Sequence, residues 1–146
     1  MTDPADTTAL ARQMWADDVA SRALGMDLQE LTAGRAVVAM TVRPDMVNGH
    51  DLCHGGLIAA LADSAFALAC NSHGTATVAG GFDITFLEPA RAGDVLVATA
   101  EERALRGRSG VYDVTVRRTD DTVVAEFRGR SRALPPSPGP EVHQGM

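Results

Sequence analysis

The sequence contains no lysine. All thirteen of its basic residues are arginines, against nineteen acids, and the net charge is −6. Eight of the arginines lie between Arg103 and Arg132, so a basic C-terminal half belongs to an acidic whole. An acidic protein binds nucleic acid poorly, and we expect no nucleic-acid partner, although a local basic region can hold a compact anionic ligand. An equally simple interpretation is that most of these arginines are solvated residues on the outer face of a sheet.

Cysteines and long hydrophobic runs are also scarce. Cys53 and Cys70 are too few for a disulfide framework, and the simplest expectation is a reduced, cytoplasmic protein. No apolar run reaches the ~18 residues that span a bilayer, so no membrane partner is expected. The acidic N-terminus does not have the pattern of a signal peptide. The length predicts a single domain over residues 1–134, and the Pro-rich composition of residues 135–146 predicts a disordered tail.

The order of predicted elements indicates the fold class. A first helix is expected from Asp6 or Thr7 to about Arg22, and a strand from Arg35 to Arg43. Four strands joined by short turns follow in the second half of the chain, over residues 76–87, 93–105, 111–118 and 122–134. This order predicts an α+β fold with a mainly antiparallel sheet.

Between these parts, Leu57 to Cys70 predicts a long central helix, because the run is rich in Ala and Leu and too long for a strand. It is apolar all round except for Asp63 and Ser64, so we expect it to be buried on every side, with the sheet wrapped around it. A buried carboxylate is costly unless it is paired. Asp63 is therefore either a structural acid held by an arginine or by backbone donors, or a catalytic acid, base or nucleophile.

The residues before this helix favour catalysis. Gly55 and Gly56 open the helix, where free N–H groups and a partial positive charge can hold a developing oxyanion. Asn48 and His54 add donors beside them. A tight loop-to-helix junction would explain the glycines alone, and a turn would explain Asn48 alone. Their combination with Asp63 makes these separate explanations weaker.

A zinc site is the competing interpretation of the same segment. Four possible ligands are present: His50, Cys53, His54 and Asp63. Three of them crowd onto a short loop and the fourth lies far along a helix, with no second ligand pair at a usual spacing. We therefore expect no metal.

The stretch NGHDLCHGGLIAALADSAFALACNS, followed by FDITFLEPARAGDVL and GVYDV, resembles the hotdog-fold acyl-CoA thioesterases of the phenylacetate-degradation (hydroxyphenylacetyl-CoA) branch. The likeness covers most of Ala9 to Leu134. It implies a hotdog fold, an antiparallel sheet wrapped around a long central helix, and hydrolysis of an aromatic, phenylacetyl-type acyl-CoA to free acid and CoA. It also implies no cofactor, since coenzyme A is part of the substrate.

The resemblance also implies roles for individual residues. Asp63 matches the catalytic carboxylate, acting as general base or nucleophile, and the Gly55 N–H matches the oxyanion donor. Asn48 matches the residue that orients the thioester or water, and His54 the one that shapes the loop. Some relatives position water with a hydroxyl at the place of Ala79, so this role is empty here or filled by another residue. The candidates for it are Thr77 and Ser64, and those for the CoA phosphates are Arg91, Arg108 and Ser109.

The spacing of two of these residues predicts an assembly. Gly55 and Asp63 are about 12 Å apart along the helix axis, yet both must lie ~3 Å from the reacting group. Two antiparallel copies of the helix can supply both, which predicts a two-fold homodimer with two equal sites. The resemblance implies that this dimer doubles to a homotetramer.

Two other functions stay open. A hotdog hydratase or dehydratase would use His54 as a base with Asp63 as its carboxylate partner. A non-catalytic acyl-CoA sensor would need an output module, for which the roughly 25 residues before the first strand are too few.

Overall fold

The computed structural model describes residues 6–135. Its helices are α1 (Ala9–Ala16), α2 (Val19–Ala23) and α3 (Gly55–Cys70), with a short 3-10 turn at Pro44–Met46. Its strands are β1 (Asp27–Thr32), β2 (Arg35–Thr41), β3 (Thr77–Phe86), β4 (Val95–Arg106), β5 (Ser109–Arg118) and β6 (Val123–Ala133). All six strands form one antiparallel sheet in the order β1-β2-β4-β5-β6-β3. Helix α3 contacts every strand, which confirms the predicted α+β fold with a sheet around a central helix.

The core forms where α3 faces the sheet. Phe66 of α3 is fully buried, and its ring packs in tilted contacts against Tyr112 and Phe127, with centroids 5.7 Å apart in each case. Gly129 of β6 lies directly under this ring, and a Cβ there would lie 2.8 Å from it. The missing side chain therefore lets the helix approach the sheet closely.

The N-terminal region differs from the prediction. The single helix expected through about Arg22 is wrong, because α1 ends at Ala16 and a separate α2 begins at Val19. Asp18 causes the break: its side chain caps α2 by accepting hydrogen bonds from the N–H and the hydroxyl of Ser21. Strand β1 was not predicted. Its register shifts between Leu28 and Glu30, so its leucines do not alternate as strand residues usually do.

The expectation that α3 is buried on every side is also wrong for the single chain. A stripe of small residues along the helix is only partly buried: Ala59, Ala60, Asp63 and Ala67. The spacing of these residues places them on one face of the helix. The sheet therefore leaves one face of α3 incompletely covered, and the acid lies on that face.

The edge strand β3 is exposed along most of its length. Val78, Phe82 and Phe86 are 47%, 40% and 49% exposed. A register shift between Ala79 and Gly81 leaves Gly80 out of the ladder with β6. No helix in residues 6–135 is long and apolar enough to cross a membrane. The predicted disordered tail falls, apart from Pro135, outside the described residues.

Candidate functional site

The first turn of α3 carries a free donor. His54 is the N-cap residue, and its Nδ1 accepts the N–H of Gly56 at 3.4 Å. The N–H of Gly55 has no hydrogen-bond partner in the described part of the chain. The Phe86 ring covers this residue so closely that a Cβ at Gly55 would lie 3.0 Å from it. A larger residue here would displace the Phe86 ring, and the Gly55 N–H is available at the positive end of the helix.

Asn48 organises the loop that leads to this turn. Its Oδ1 accepts the N–H groups of His50 at 2.8 Å and Leu52 at 3.2 Å, which leaves the side-chain NH2 free to donate to a ligand. Asn48, Gly55 and Phe86 line one groove with a volume of about 420 Å³. The structure therefore brings three of the predicted residues, Asn48, His54 and Gly55, together at the start of α3.

Asp63 lies apart from that group. Burial raises the pKa of its carboxyl, and the nearby charge of Asp18 raises it further. None of the salt bridges found within residues 6–135 includes Asp63. The structure therefore does not support the interpretation of Asp63 as a structural acid held by an arginine. Asp63 is two turns beyond Gly55 on α3 and does not line the groove, so one chain does not bring the two groups together.

Neither hydroxyl expected to position water has a free proton. The Ser64 Oγ lies 2.8 Å from the Ser21 Oγ, and Ser21 donates its own proton to Asp18. Ser64 must therefore be the donor to Ser21. Thr77 donates its hydroxyl proton to a backbone carbonyl of the preceding loop at 2.8 Å. Both hydroxyls can still accept a hydrogen bond from water.

The possible zinc ligands occupy separate positions. His50 is exposed on the loop, Cys53 is buried just before α3, His54 caps the helix, and Asp63 lies within it. Across residues 6–135, no group of three or more His, Cys, Asp or Glu side chains could hold a metal ion. The two cysteines are both free thiols.

The candidates for CoA phosphates lie at opposite ends of α3. Arg91 belongs to the loop that accepts the N–H of Cys53, next to the helix start. Arg108 is in the turn between β4 and β5, where its Nε donates to the carbonyl of Ala133. The Ser109 hydroxyl beside it already accepts a hydrogen bond from an arginine of β6. A single subunit therefore cannot present all three to one phosphate group.

A second cavity lies at the C-terminal end of α3, and sequence reasoning did not identify it. It has a volume of about 540 Å³, and its wall includes Cys70, Thr77, Tyr112 and Ser131. The alternation that places Phe127 on the inner face of β6 continues to Ser131, so an inward-facing hydroxyl was readable from the sequence. The cavity itself was not, because its wall combines residues distant in the chain.

Comparison with known proteins identifies the family. Residues 50–125 match the sequence model of the thioesterase superfamily. The chain is 47% identical over 124 residues to the acyl-coenzyme A thioesterase PaaI of Escherichia coli K12, covering 85% of this chain and 89% of that protein. The solved structure of E. coli PaaI, from the phenylacetic acid degradation operon, matches with a TM-score of 0.84 and 44% identity, covering 88% of this chain and 96% of the other.

A second solved structure agrees. The TT0310 protein of Thermus thermophilus matches with a TM-score of 0.77 and 41% identity, covering 80% of this chain and 98% of that one. The matches span nearly the whole length of both relatives, so they concern the complete fold and not a fragment of it. The chain therefore belongs to the thioesterase superfamily, has the hotdog fold and is a thioester hydrolase.

Proposed function

We propose that the protein hydrolyses acyl-CoA to a free acid and CoA, and that the acyl group is aromatic, of the phenylacetyl type. The similarity to an acyl-CoA thioesterase from a phenylacetic acid degradation operon supports this proposal. No cofactor is needed, because an activated water or carboxylate and an oxyanion donor suffice for acyl transfer.

The active site is formed by two subunits. One observation carries this proposal: the free Gly55 N–H and the Asp63 carboxylate lie on the same helix, about 12 Å apart along its axis. Both must contact one thioester carbonyl, so a second copy of the chain supplies one of them. A two-fold homodimer then contains two equal sites.

Strand β3 provides the surface for that dimer. It runs antiparallel to α3, since its Phe86 end packs on Gly55 while its Thr77 end lies in the cavity with Cys70. Antiparallel pairing of two β3 strands brings the Phe86 end of one beside the Thr77 end of the other. The start of one α3 then lies next to the later turns of its partner, as a shared site requires.

The side-chain directions of β3 restrict the registers that this pairing can adopt. Phe82 and Phe86 face α3, whereas Val78 and Thr85 face the other side of the sheet, opposite Arg132 and Glu126 of β6. Residues opposite each other in a sheet share a face. Among the pairings that satisfy this rule, we propose the one centred on Phe82, with the bulged Gly80 unpaired. It places Val78 opposite the partner's Thr85.

The chemistry follows from these positions. The Gly55 N–H polarises the thioester carbonyl and stabilises the oxyanion that forms. Asp63 either removes a proton from water, whose oxygen attacks the carbonyl carbon, or attacks that carbon itself to form an anhydride that water then cleaves. CoA leaves as the thiolate in both cases. The Asn48 amide orients the thioester, His54 holds the helix start, and Arg91 contacts the CoA phosphates.

Replacing the acid tests this function. We expect Asp63→Asn to lower kcat by at least about 100-fold, because the base or nucleophile is lost. Its thermal midpoint at neutral pH should not fall, since burial disfavours the ionised carboxylate that is removed. CoA release is followed with a thiol reagent. Asp17→Asn makes the same chemical change at an exposed position and is the control.

Two results would contradict the proposal. Near-normal turnover of Asp63→Asn would remove this acid from the mechanism. Hydration of an unsaturated acyl-CoA by the wild-type protein, without release of thiol, would identify a hydratase instead.

A further inference from the structure

Arg118 is connected to the groove beside Gly55 through the loop that forms one wall of that groove. We propose that Arg118 is a positioning residue, which holds this wall in place from behind so that the wall can bind the pantetheine arm of the substrate. This inference rests on the proposed acyl-CoA hydrolysis. It assigns a role in substrate binding to an arginine that takes no part in the chemical steps.

The groove wall consists of residues 87–90, the first part of the loop between β3 and β4, and all four of them line the groove. The sheet fixes the beginning of the wall, because the N–H groups of Leu87 and Glu88 both donate to the carbonyl of Val124. The middle is not held in this way, since Pro89 has no N–H to donate. The position of the wall therefore depends on bonds to its carbonyl groups.

Two hydrogen bonds from other parts of the chain hold these carbonyl groups. The Arg118 guanidinium donates to the carbonyl of Pro89 at 2.9 Å. The N–H of Cys53 donates to the carbonyl of Ala90 at 2.7 Å. Cys53 is only two residues before Gly55 in the chain. The same short piece of backbone thus connects Arg118, at the end of β5, with the start of α3.

The Arg118 side chain is itself held in one orientation. It is 26% exposed, so it is not a freely solvated arginine. Its Nε and Nη2 donate to the two carboxylate oxygens of Asp120, at 3.3 and 3.2 Å, which leaves Nη1 for Pro89. A guanidinium bound in this forked manner has a defined direction, which a lysine ammonium would not have. The negative charges of Asp94 and Glu88 stabilise the cation further.

The groove suits the pantetheine arm better than the phosphates of CoA. The arm carries two amide groups, which need both donors and acceptors. The Asn48 NH2 is a free donor in the groove, and the Glu88 carboxylate is an acceptor. The other lining side chains are apolar except for the Cys53 thiol, whose pKa is raised by burial. Since Glu88 repels phosphates, they lie beyond the wall, where the loop continues to Arg91.

A wall that is fixed in advance favours binding of the arm. Without the bond from Arg118, the carbonyl of Pro89 has no other donor in the described part of the chain. The wall would then have to be ordered when the arm binds, and this ordering lowers the affinity. The arm is held equally before and during the reaction, so the loss should appear in KM and not in kcat.

Arg118→Met tests this role, because it removes the donors and keeps most of the side-chain length. Wild type and variant are assayed with phenylacetyl-CoA and with phenylacetyl-pantetheine, which has the same arm without its phosphates. We expect KM to rise about fivefold for both substrates and kcat to change by less than about twofold. Arg117→Met is the control, since Arg117 lies in the same turn but donates to Asp121 and not to the wall.

A second variant tests the same wall if Arg118→Met is poorly folded. Pro89→Gly leaves the carbonyl in place but frees the backbone at that point, so it should also raise KM for both substrates. In the double variant the second change should add little, because the wall is already loose. Fully additive effects on KM would overturn the proposal.

Three other results would also overturn it. A higher KM for phenylacetyl-CoA alone would mean that Arg118 acts on the phosphates and not on the arm. A lower kcat at an unchanged KM would mean that the loop positions the reacting groups. Equal KM values in the wild type and in Arg118→Met would leave Arg118 without a part in binding. If the wild type cleaves no acyl-CoA, the proposed function itself fails, and this inference fails with it.

Discussion

The two edges of the sheet are built differently. The β1 edge is short, and its exposed positions carry the polar residues Asp27, Gln29 and Glu30, the last of which forms a salt bridge with Arg35 at 3.0 Å. The β3 edge has ten residues and exposes large apolar side chains. Natural sheets protect their free edges with charges, bulges and short strands. By that standard β1 is a protected edge. Strand β3 also has a bulge, at Gly80, but it leaves Val78, Phe82 and Phe86 exposed, as an interaction surface would.

The exposed β3 edge also lies beside both ends of α3. Phe86 at one end of β3 covers Gly55, and Thr77 at the other end lines the cavity that includes Cys70. The partly buried face of α3, with Asp63 on it, is likewise not covered by the sheet. An exposed apolar surface of this kind usually marks an interaction site. The comparison therefore supports the proposal that one interface both assembles the protein and completes its active site.

Among the tests of this comparison, the largest expected effect comes from placing charges on the β3 edge. In the proposed register, Val78→Glu with Thr85→Glu sets like charges opposite each other at two symmetric positions. Like charges directly opposite destabilise a strand pair. Two such pairs, at up to about 1 kcal/mol each, should raise the dimer dissociation constant by up to about 30-fold. Sedimentation measures the dissociation, and specific activity should fall on dilution in parallel.

Two control proteins make this test specific. Val78→Glu with Thr85→Lys sets opposite charges in the same pairs and should keep the dimer. Gln29→Glu adds a charge to the β1 edge and should change neither assembly nor activity. If the two β3 double variants dissociate equally, the register is wrong. If neither dissociates, β3 is not the interface.

A smaller but more direct effect is expected from mixing inactive subunits. Asp63→Asn and Asn48→Ala damage opposite halves of the site. In a mixed dimer, one site receives both defects and the other receives neither. Random exchange from an equal mixture makes about half of the dimers mixed, so about a quarter of wild-type activity should return. Thioester hydrolysis after co-refolding measures the recovery.

The same mixture can refute the shared site. Subunit exchange is verified by native mass spectrometry with one variant isotopically labelled. If exchange is complete and the activity equals only the sum of the separate variants, each site lies within one subunit. A mixture of Asp63→Asn and Asp63→Gln is the control. Both variants damage the Asp63 half of the site, so this mixture should recover no thioester hydrolysis under either model.

Much of this architecture was readable from the sequence, and the exceptions have physical causes. Asn48, His54 and Gly55 are neighbours in the chain, so their convergence at a helix start could be predicted from local rules. The break at Asp18 was missed because the hydrophobic positions continue across it and only the cap reveals it. Strand β1 was missed because its bulge destroys the alternation. The Ser131 cavity depends on tertiary contacts that no local pattern contains.

The smallest expected effect concerns the pH dependence of the acid. Burial and then the charge of Asp18 raise the pKa of Asp63. A carboxylate that acts as base or nucleophile is lost when it is protonated, so kcat should fall as the pH drops through this raised pKa. The acid limb of the kcat profile is thus expected above the pH at which an ordinary carboxyl titrates.

Removing the neighbouring charge should move that limb toward lower pH. Asp18→Asn keeps an oxygen that accepts the Ser21 N–H and caps α2, and its NH2 can donate to the Ser21 hydroxyl, whose proton the second carboxylate oxygen now accepts. It removes the charge that disfavours ionised Asp63. We expect the acid limb to shift toward lower pH, with kcat on the plateau unchanged. Asp17→Asn makes the same change one residue away, on an exposed side chain, and should leave the profile in place. An unmoved limb in Asp18→Asn, with the fold intact by circular dichroism, would show that burial alone sets the proton affinity of Asp63.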